Sequence, residues 1–126
     1  GLVVLMLLHG KLAGRLAVGW QILLLSLSTG LALLWLTPEI KIYVGLSGML
    51  HGLLCYGATA DLRQGYRSGA LILIGVAIKV GTEQWQGPDP ELSAQIAAEV
   101  AIDAHLYGAV SGVLLALLSW RYIRRQ

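Results

Sequence analysis

Two polar side chains in apolar surroundings, Ser47 and His105, could together carry out acyl transfer. An imidazole can take the proton of a serine hydroxyl, which makes the oxygen a nucleophile, and can later give that proton to the leaving group. Ser47 belongs to a Gly-Leu-Ser-Gly sequence that begins at Gly45, and His105 to an Ala-His-Leu-Tyr-Gly sequence that ends at Gly108. A serine beside glycines usually serves helix packing, whereas a histidine inside an apolar helix is costly and indicates a functional site. The pair therefore carries more information than either residue alone.

Glycines flank both residues at the spacing of one helical turn. Gly48 and Gly52 form one such pair, and Gly108 and Gly112 form the other. Each pair gives its helix a smooth strip on which a second helix can approach closely. The histidine lies on the face of its own glycine pair, and the serine borders the other strip. We therefore expect the two helices to meet, with the hydroxyl and the imidazole within hydrogen-bond reach or slightly beyond it.

The composition predicts that these helices lie in lipid. The chain has 126 residues, of which 56% are apolar and 13% are charged, and its mean hydropathy is +0.71. Soluble domains carry about 25% charged residues. The net charge of +2 is small and its charges are sorted by loop, so nucleic acid is not expected as a partner. The single cysteine, Cys55, cannot form an intramolecular disulfide and is expected to serve packing.

Long uncharged stretches predict an all-α, polytopic transmembrane helical bundle. A spanning helix needs about 20 mostly apolar residues, and the alternation typical of membrane barrels is absent. The expected full spans are 16–36, 43–60, 68–82 and 98–122, and a partial span covers 1–8. Residues 1–126 are thus expected to form one membrane domain, truncated at its N-terminus, with four full spans and a partial one.

The charges between the spans predict the orientation of the bundle. One side is basic and carries Lys11, Arg15, Arg63, Arg67, Arg121, Arg124 and Arg125. The opposite side carries the loop 81–95, which is acidic from Glu83 onward and whose two prolines predict irregular structure. By the positive-inside rule, the basic side and the C-terminus are cytoplasmic and this loop is outside. The serine and the histidine then lie a few residues below the outer surface.

The two motifs, in this order, resemble the signatures of the rhomboid family of intramembrane serine proteases. The longer runs, from Tyr43 to Gly52 and from Asp103 to Gly108, are similar to those of the rhombosortase branch. The resemblance covers essentially the whole chain and implies spans two to six of a six-helix rhomboid core. It also implies that Ser47 is the nucleophile and that its backbone amide serves the oxyanion hole. His105 is then the base of a catalytic dyad.

Two departures from the family pattern affect the expected site. Rhomboids usually have a tyrosine one turn after the serine, and this chain has His51, which can stack on the catalytic histidine, hydrogen-bond in support of it, or serve structure only. A His-x-x-x-Asn pair that helps hold the oxyanion would precede the first residue. Because loss of such donors typically costs about 100-fold or more in rate, we expect the chain as given to be an impaired enzyme. Gly45, Gly48, Gly108 and Gly112 are expected to support the dyad.

The resemblance further implies a substrate and a location. It predicts an endopeptidase of the bacterial inner membrane that cleaves the C-terminal Gly-Gly-type sorting tail of exported proteins. Its partners would be membrane lipid and transmembrane substrates, and no cofactor or metal is expected. One open alternative is a non-catalytic rhomboid-like membrane protein, in which Ser47 and His105 only join helices. Another is a metal transporter using His51, Asp103 and His105, which is less favoured because no paired-histidine or paired-cysteine spacing accompanies them.

Overall fold

The computed structural model describes residues 18–39, 46–87, 90–91 and 102–123, with side chains described up to residue 119. This part forms four long helices: α1 (Val18–Leu36), α2 (Ser47–Arg63), α3 (Arg67–Gln86) and α4 (Ile102–Ile123). No strand occurs in it, so the predicted all-α class is confirmed there. The expected partial span 1–8 and Gly45 lie outside the described residues.

The outer end of α3 differs from the sequence prediction. The uncharged stretch predicts a span that ends at residue 82, followed by an irregular loop, and this is wrong because the helix continues to Gln86. The first carboxylate, Glu83, does not end the helix because it pairs with Lys79 one turn earlier. The helix ends at Gly87, whose φ of 83° is left-handed and whose N–H donates to the carbonyl oxygen of Glu83 at 2.9 Å.

Smaller differences occur elsewhere. The helix α2 starts at Ser47 and runs to Arg63, beyond the expected end at residue 60. Pro90 and Glu91, which fall in the segment expected to be irregular, are helical. Proline is compatible with the first turn of a helix, where its missing N–H has no acceptor to lose.

The helices α2 and α4 run parallel at the centre of the bundle, with their backbones in contact. Gly48 faces Gly108 and Gly52 faces Gly112, and a Cβ on either glycine of α4 would overlap a carbonyl oxygen of α2. A Cβ on Gly52 would lie 2.9 Å from the carbonyl oxygen of Gly108. This is the most extensive helix contact in the described part of the chain. The predicted meeting of the two glycine strips is therefore confirmed.

The helices α1 and α3 pack against this central pair and run antiparallel to it. In α1, Leu25 belongs to a cluster against which Leu115, late in α4, packs, whereas Leu33 packs with Ala104 near the start of α4. In α3, Gly69 of the first turn packs on the backbone of Ala58, late in α2. The helices α1 and α3 do not touch each other within the described ranges, so each flanks the pair separately.

Within the described part of the chain, two helices are long and apolar enough to cross a membrane. These are Val18–Leu36 and Ile102–Ser119, and only 22% and 28% of the residues in these windows are buried inside the bundle. The core helix of a soluble protein is mostly buried, although a signal sequence meets the same criteria of length and composition. The exposed face of α1 carries Leu27, Leu31, Leu34 and Trp35. A contiguous apolar surface of this kind indicates that lipid or another protein covers it.

Candidate functional site

Side chains from three helices meet at one end of the bundle. Ser47 and His51 come from the first turns of α2, His105 comes from the first turn of α4, and Glu83 comes from the last turn of α3. This convergence follows from topology, since α2 and α4 begin at the end of the bundle where α3 finishes. The opposite end carries the basic turn between α2 and α3.

The two imidazole rings are stacked. The ring centroids of His51 and His105 are 4.3 Å apart and the planes are inclined by 20°. The glycine contacts described above allow this, because His51 precedes Gly52 and His105 precedes Gly108 on facing parts of the two helices. Of the possibilities that the sequence leaves open for His51, the structure shows the stack on the candidate base.

A main-chain bond orients His51. Its Nδ1 lies 2.7 Å from the carbonyl oxygen of Ser47, one turn earlier on α2. Because a carbonyl oxygen only accepts hydrogen bonds, Nδ1 must carry the proton and donate it. The ring therefore has a fixed position over His105 and a fixed tautomer when neutral. The hydrogen bond of His51 is thus made to the backbone of its own helix, and its contact with His105 is the stack.

An acidic side chain binds His105. The Nδ1 of His105 lies 2.8 Å from Oε2 of Glu83, and the histidine is only 6% exposed. The other carboxylate oxygen of Glu83, Oε1, binds the ammonium of Lys79. A carboxylate accepts the Nδ1–H, which leaves Nε2 of a neutral His105 without a proton. The candidate base is therefore held at its ring face by His51 and at Nδ1 by Glu83.

Ser47 occupies the first position of α2. It is half-buried. The N-cap residue is Leu46, and no side-chain hydrogen bond caps this end of the helix. The N-terminus of a helix presents main-chain N–H groups and a partial positive charge, which suits a developing oxyanion. No hydrogen bond joins Ser47 Oγ to His105 in the described part of the chain, and serine–histidine contacts are often long before substrate binds. Their direct contact therefore stays a prediction.

Asp103 has a different contact. Its Oδ1 accepts a hydrogen bond from Nε2 of Gln84 at 3.1 Å, so it joins the first turn of α4 to the last turn of α3. It makes no described bond to His105, which agrees with its position on the helix. Among the residues that the structure describes, no group of three or more histidine, cysteine, aspartate or glutamate side chains could hold a metal ion.

Glu83 was not among the site residues predicted from the sequence. The sequence pattern places it in an external loop, because it is the first carboxylate after an uncharged stretch. One signal could have identified it: Lys79 and Glu83 are spaced as a helical pair, which favours a longer helix. A longer α3 ends beside the starts of α2 and α4, where the histidines lie.

An apolar groove of about 570 Å³ lies beside this site, between α3 and α4. Its walls are mainly aliphatic, its floor includes Cys55 of α2, and Gln84 and Leu106 line the part next to the histidines. A groove with such walls suits hydrocarbon rather than a polar ligand.

No protein-family model matches the chain, and comparisons with curated proteins and with solved structures likewise return no match.

Proposed function

We propose that this chain is the membrane-embedded core of a serine endopeptidase of the rhomboid type, with Ser47 as nucleophile and His105 as general base. The observation that carries the proposal is the stack of His51 on His105, on two parallel helices of which one begins at Ser47. A histidine in this position of the stack fits the role that the rhomboid resemblance implies for His105. His51 then fills the supporting position one turn after the nucleophile.

The proposed reaction needs groups of this chain, the substrate, and water or an amine as the second nucleophile. His105 takes the proton of Ser47 Oγ as the oxygen attacks the scissile carbonyl carbon, and the tetrahedral oxyanion is stabilised by main-chain N–H groups at the start of α2. The C–N bond then breaks, and the amine leaves with the proton from His105. Water or an amine next attacks the acyl-enzyme, gives its proton to His105, and releases the new carboxyl derivative as the proton returns to Ser47.

The lipid bilayer is the proposed surrounding of the bundle, with all four helices crossing or entering it. Support comes from the two helices of spanning length and from the apolar side chains that α1 exposes. The charges at the two ends of the bundle give an orientation, since Arg63 and Arg67 lie at one end and Glu83 and Asp103 at the other. By the positive-inside rule, the candidate site is at the outer end and the C-terminus is cytoplasmic.

The proposed substrates are exported bacterial proteins that end in a Gly-Gly-type sorting tail, cleaved in the inner membrane. This part of the proposal comes from the rhombosortase resemblance of the motifs around Ser47 and His105. Small residues at the cleavage point suit a nucleophile at a crowded, glycine-lined helix contact, because they let the substrate backbone approach closely.

A labelling experiment separates this proposal from the non-catalytic alternative. The protein in bacterial membranes is treated with a fluorophosphonate probe, which reacts only with an activated serine. We expect labelling of the wild type, none of Ser47→Ala, and a loss of at least about 100-fold in rate for His105→Ala. Equal labelling of the wild type and Ser47→Ala, or no labelling of either, would favour a structural role for both side chains.

A further inference from the structure

Glu83 is the polar group that α3 adds to the candidate site, and no sequence motif identified it. It approaches His105 from α3, 22 residues earlier in the chain, and its Oε2 lies 2.8 Å from Nδ1 of the ring. Its side chain is 21% exposed, so the contact is largely shielded from solvent and is not a surface ion pair.

The carboxylate of Glu83 is held by its surroundings, as the ring of His105 is. Oε1 of Glu83 binds Lys79, which balances the charge of the carboxylate and leaves Oε2 for the histidine. The next residue, Gln84, donates to Asp103 at 3.1 Å, two residues before His105. Consecutive side chains at the end of α3 therefore hold the first turn of α4 at two points.

The chemistry of this contact is that of the third member of a catalytic triad. A carboxylate on Nδ1–H selects the tautomer in which Nε2 can accept a proton, holds the ring plane, and stabilises the imidazolium that forms when Nε2 takes the serine proton. We propose that Glu83 is the positioning residue of His105, so that Ser47, His105 and Glu83 act as a triad. This inference rests on the proposed function, since it assigns a role in the same reaction.

The variant Glu83→Gln tests the inference because it keeps the size of the side chain and removes the charge. We expect kcat for a reporter with a Gly-Gly tail to fall by about 10²- to 10⁴-fold, with KM changed by less than about threefold. Glu83→Asp keeps the carboxylate and should restore at least about a tenth of the wild-type kcat. The comparison variant is Gln84→Ala, which breaks the neighbouring bond to Asp103 and leaves the carboxylate of Glu83 in place. Its loss of kcat should be at least about tenfold smaller than that of Glu83→Gln.

A spectroscopic readout tests the same contact without activity. In protein labelled with ¹⁵N-histidine in lipid nanodiscs, the His105 signals are identified by their loss in His105→Gln. In the wild type they should report a proton on Nδ1, and in Glu83→Leu they should shift towards the Nε2–H tautomer.

The outcomes distinguish failure of the inference from failure of the proposed function. Loss of activity in Ser47→Ala together with wild-type kcat in Glu83→Gln would leave a dyad and overturn the triad. An equal loss in Glu83→Gln and Gln84→Ala would assign Glu83 to helix packing alone. Retained cleavage in Ser47→Ala would reject the proposed protease. Even then, loss of the Nδ1–H tautomer in Glu83→Leu would establish the contact between Glu83 and His105.

Discussion

At the scale of single residues, the stack of His51 on His105 is the contact that joins α2 to α4 within the site. His51 binds the carbonyl oxygen of Ser47 and stacks on His105, so it connects the candidate nucleophile to the candidate base without touching the reacting atoms. Its contribution is therefore orientation. A stacked pair of aromatic rings is worth about 0.5–1.5 kcal/mol beyond the area that it buries.

Replacement of His51 separates its stack from its hydrogen bond. His51→Ala removes both and should lower kcat by about 2- to 10-fold, as expected from the stacking energy. His51→Tyr keeps a ring and should lose less. Reporter cleavage measures both variants, and a larger loss in the tyrosine variant than in the alanine variant would contradict a stacking role.

The cysteine provides a matched contrast in the neighbouring part of α2. Cys55 is buried with Val76 and Val80 and lies one turn beyond His51, away from the site. Cys55→Ala removes one sulfur atom from a packed position, so stability should fall by about 1 kcal/mol and kcat should stay within about twofold. A thiol-dependent activity would instead be lost in this variant and blocked by alkylation.

At the scale of helices, the parallel contact of α2 and α4 determines where the histidines lie. The closest approach is backbone to backbone, so the geometry tolerates no side chain at Gly108 or Gly112. Gly75 of α3 provides the opposite case, because a Cβ there would meet nothing within 4 Å. These glycines differ in packing although all three are helical.

Alanine substitution at these glycines tests the helix contact. Gly112→Ala should push α2 and α4 apart, lower the free energy of unfolding by about 1–3 kcal/mol, and weaken cleavage although the catalytic residues are unchanged. Gly75→Ala should be neutral or stabilising by up to about 1 kcal/mol, since alanine favours a helix. Thermal unfolding in detergent measures both. Equal stability of the two variants would mean that the glycine contact is not close.

The helices were largely predictable from sequence, and the contacts of the third helix were not. Uncharged stretches and glycine spacing predicted four long helices and the meeting of α2 with α4, because both depend on composition along one helix. The end of α3 was not predictable in this way, because Lys79 and Glu83 form a salt bridge within the helix. A prediction based on uncharged stretches ends the helix at the first carboxylate instead. The contact of Glu83 with His105 depends on how α3 packs against α4, and no local pattern encodes that packing.

At the scale of the whole molecule, the arrangement of charge and apolar surface gives the bundle a direction. The turn between α2 and α3 carries Arg63 and Arg67 beside Asp61, so its excess charge is positive. The end that holds Ser47 and His105 carries Asp103 and the Lys79–Glu83 pair. Two exposed glutamines mark opposite ends of α3. Gln64 lies in the turn just before the helix begins, and Gln86 is its last residue, so the two positions report on opposite sides of the bundle.

Cysteine accessibility tests this direction. In a Cys55→Ala background, a cysteine at Gln86 should react with an impermeant maleimide added to spheroplasts, because the outer end of α3 is expected to face the periplasm. A cysteine at Gln64 should react only after the membrane is permeabilised. The reverse pattern would invert the bundle, and reaction at both positions before permeabilisation would exclude a spanning α3.

The parallel pairing of α2 with α4 also has a consequence for biogenesis. The two stacked histidines are separated in the chain by the whole of α3, and parallel helices cannot be joined by a short turn. At about 5–20 residues per second of synthesis, the roughly 60 residues from Ser47 to His105 take about 3–12 s to emerge. During that interval α2 is already made while its glycine strip has no partner. The arrangement of histidines and carboxylate therefore forms only after the last helix has entered the bundle, and a ribosome-bound nascent chain that stops before α4 carries the serine without its base.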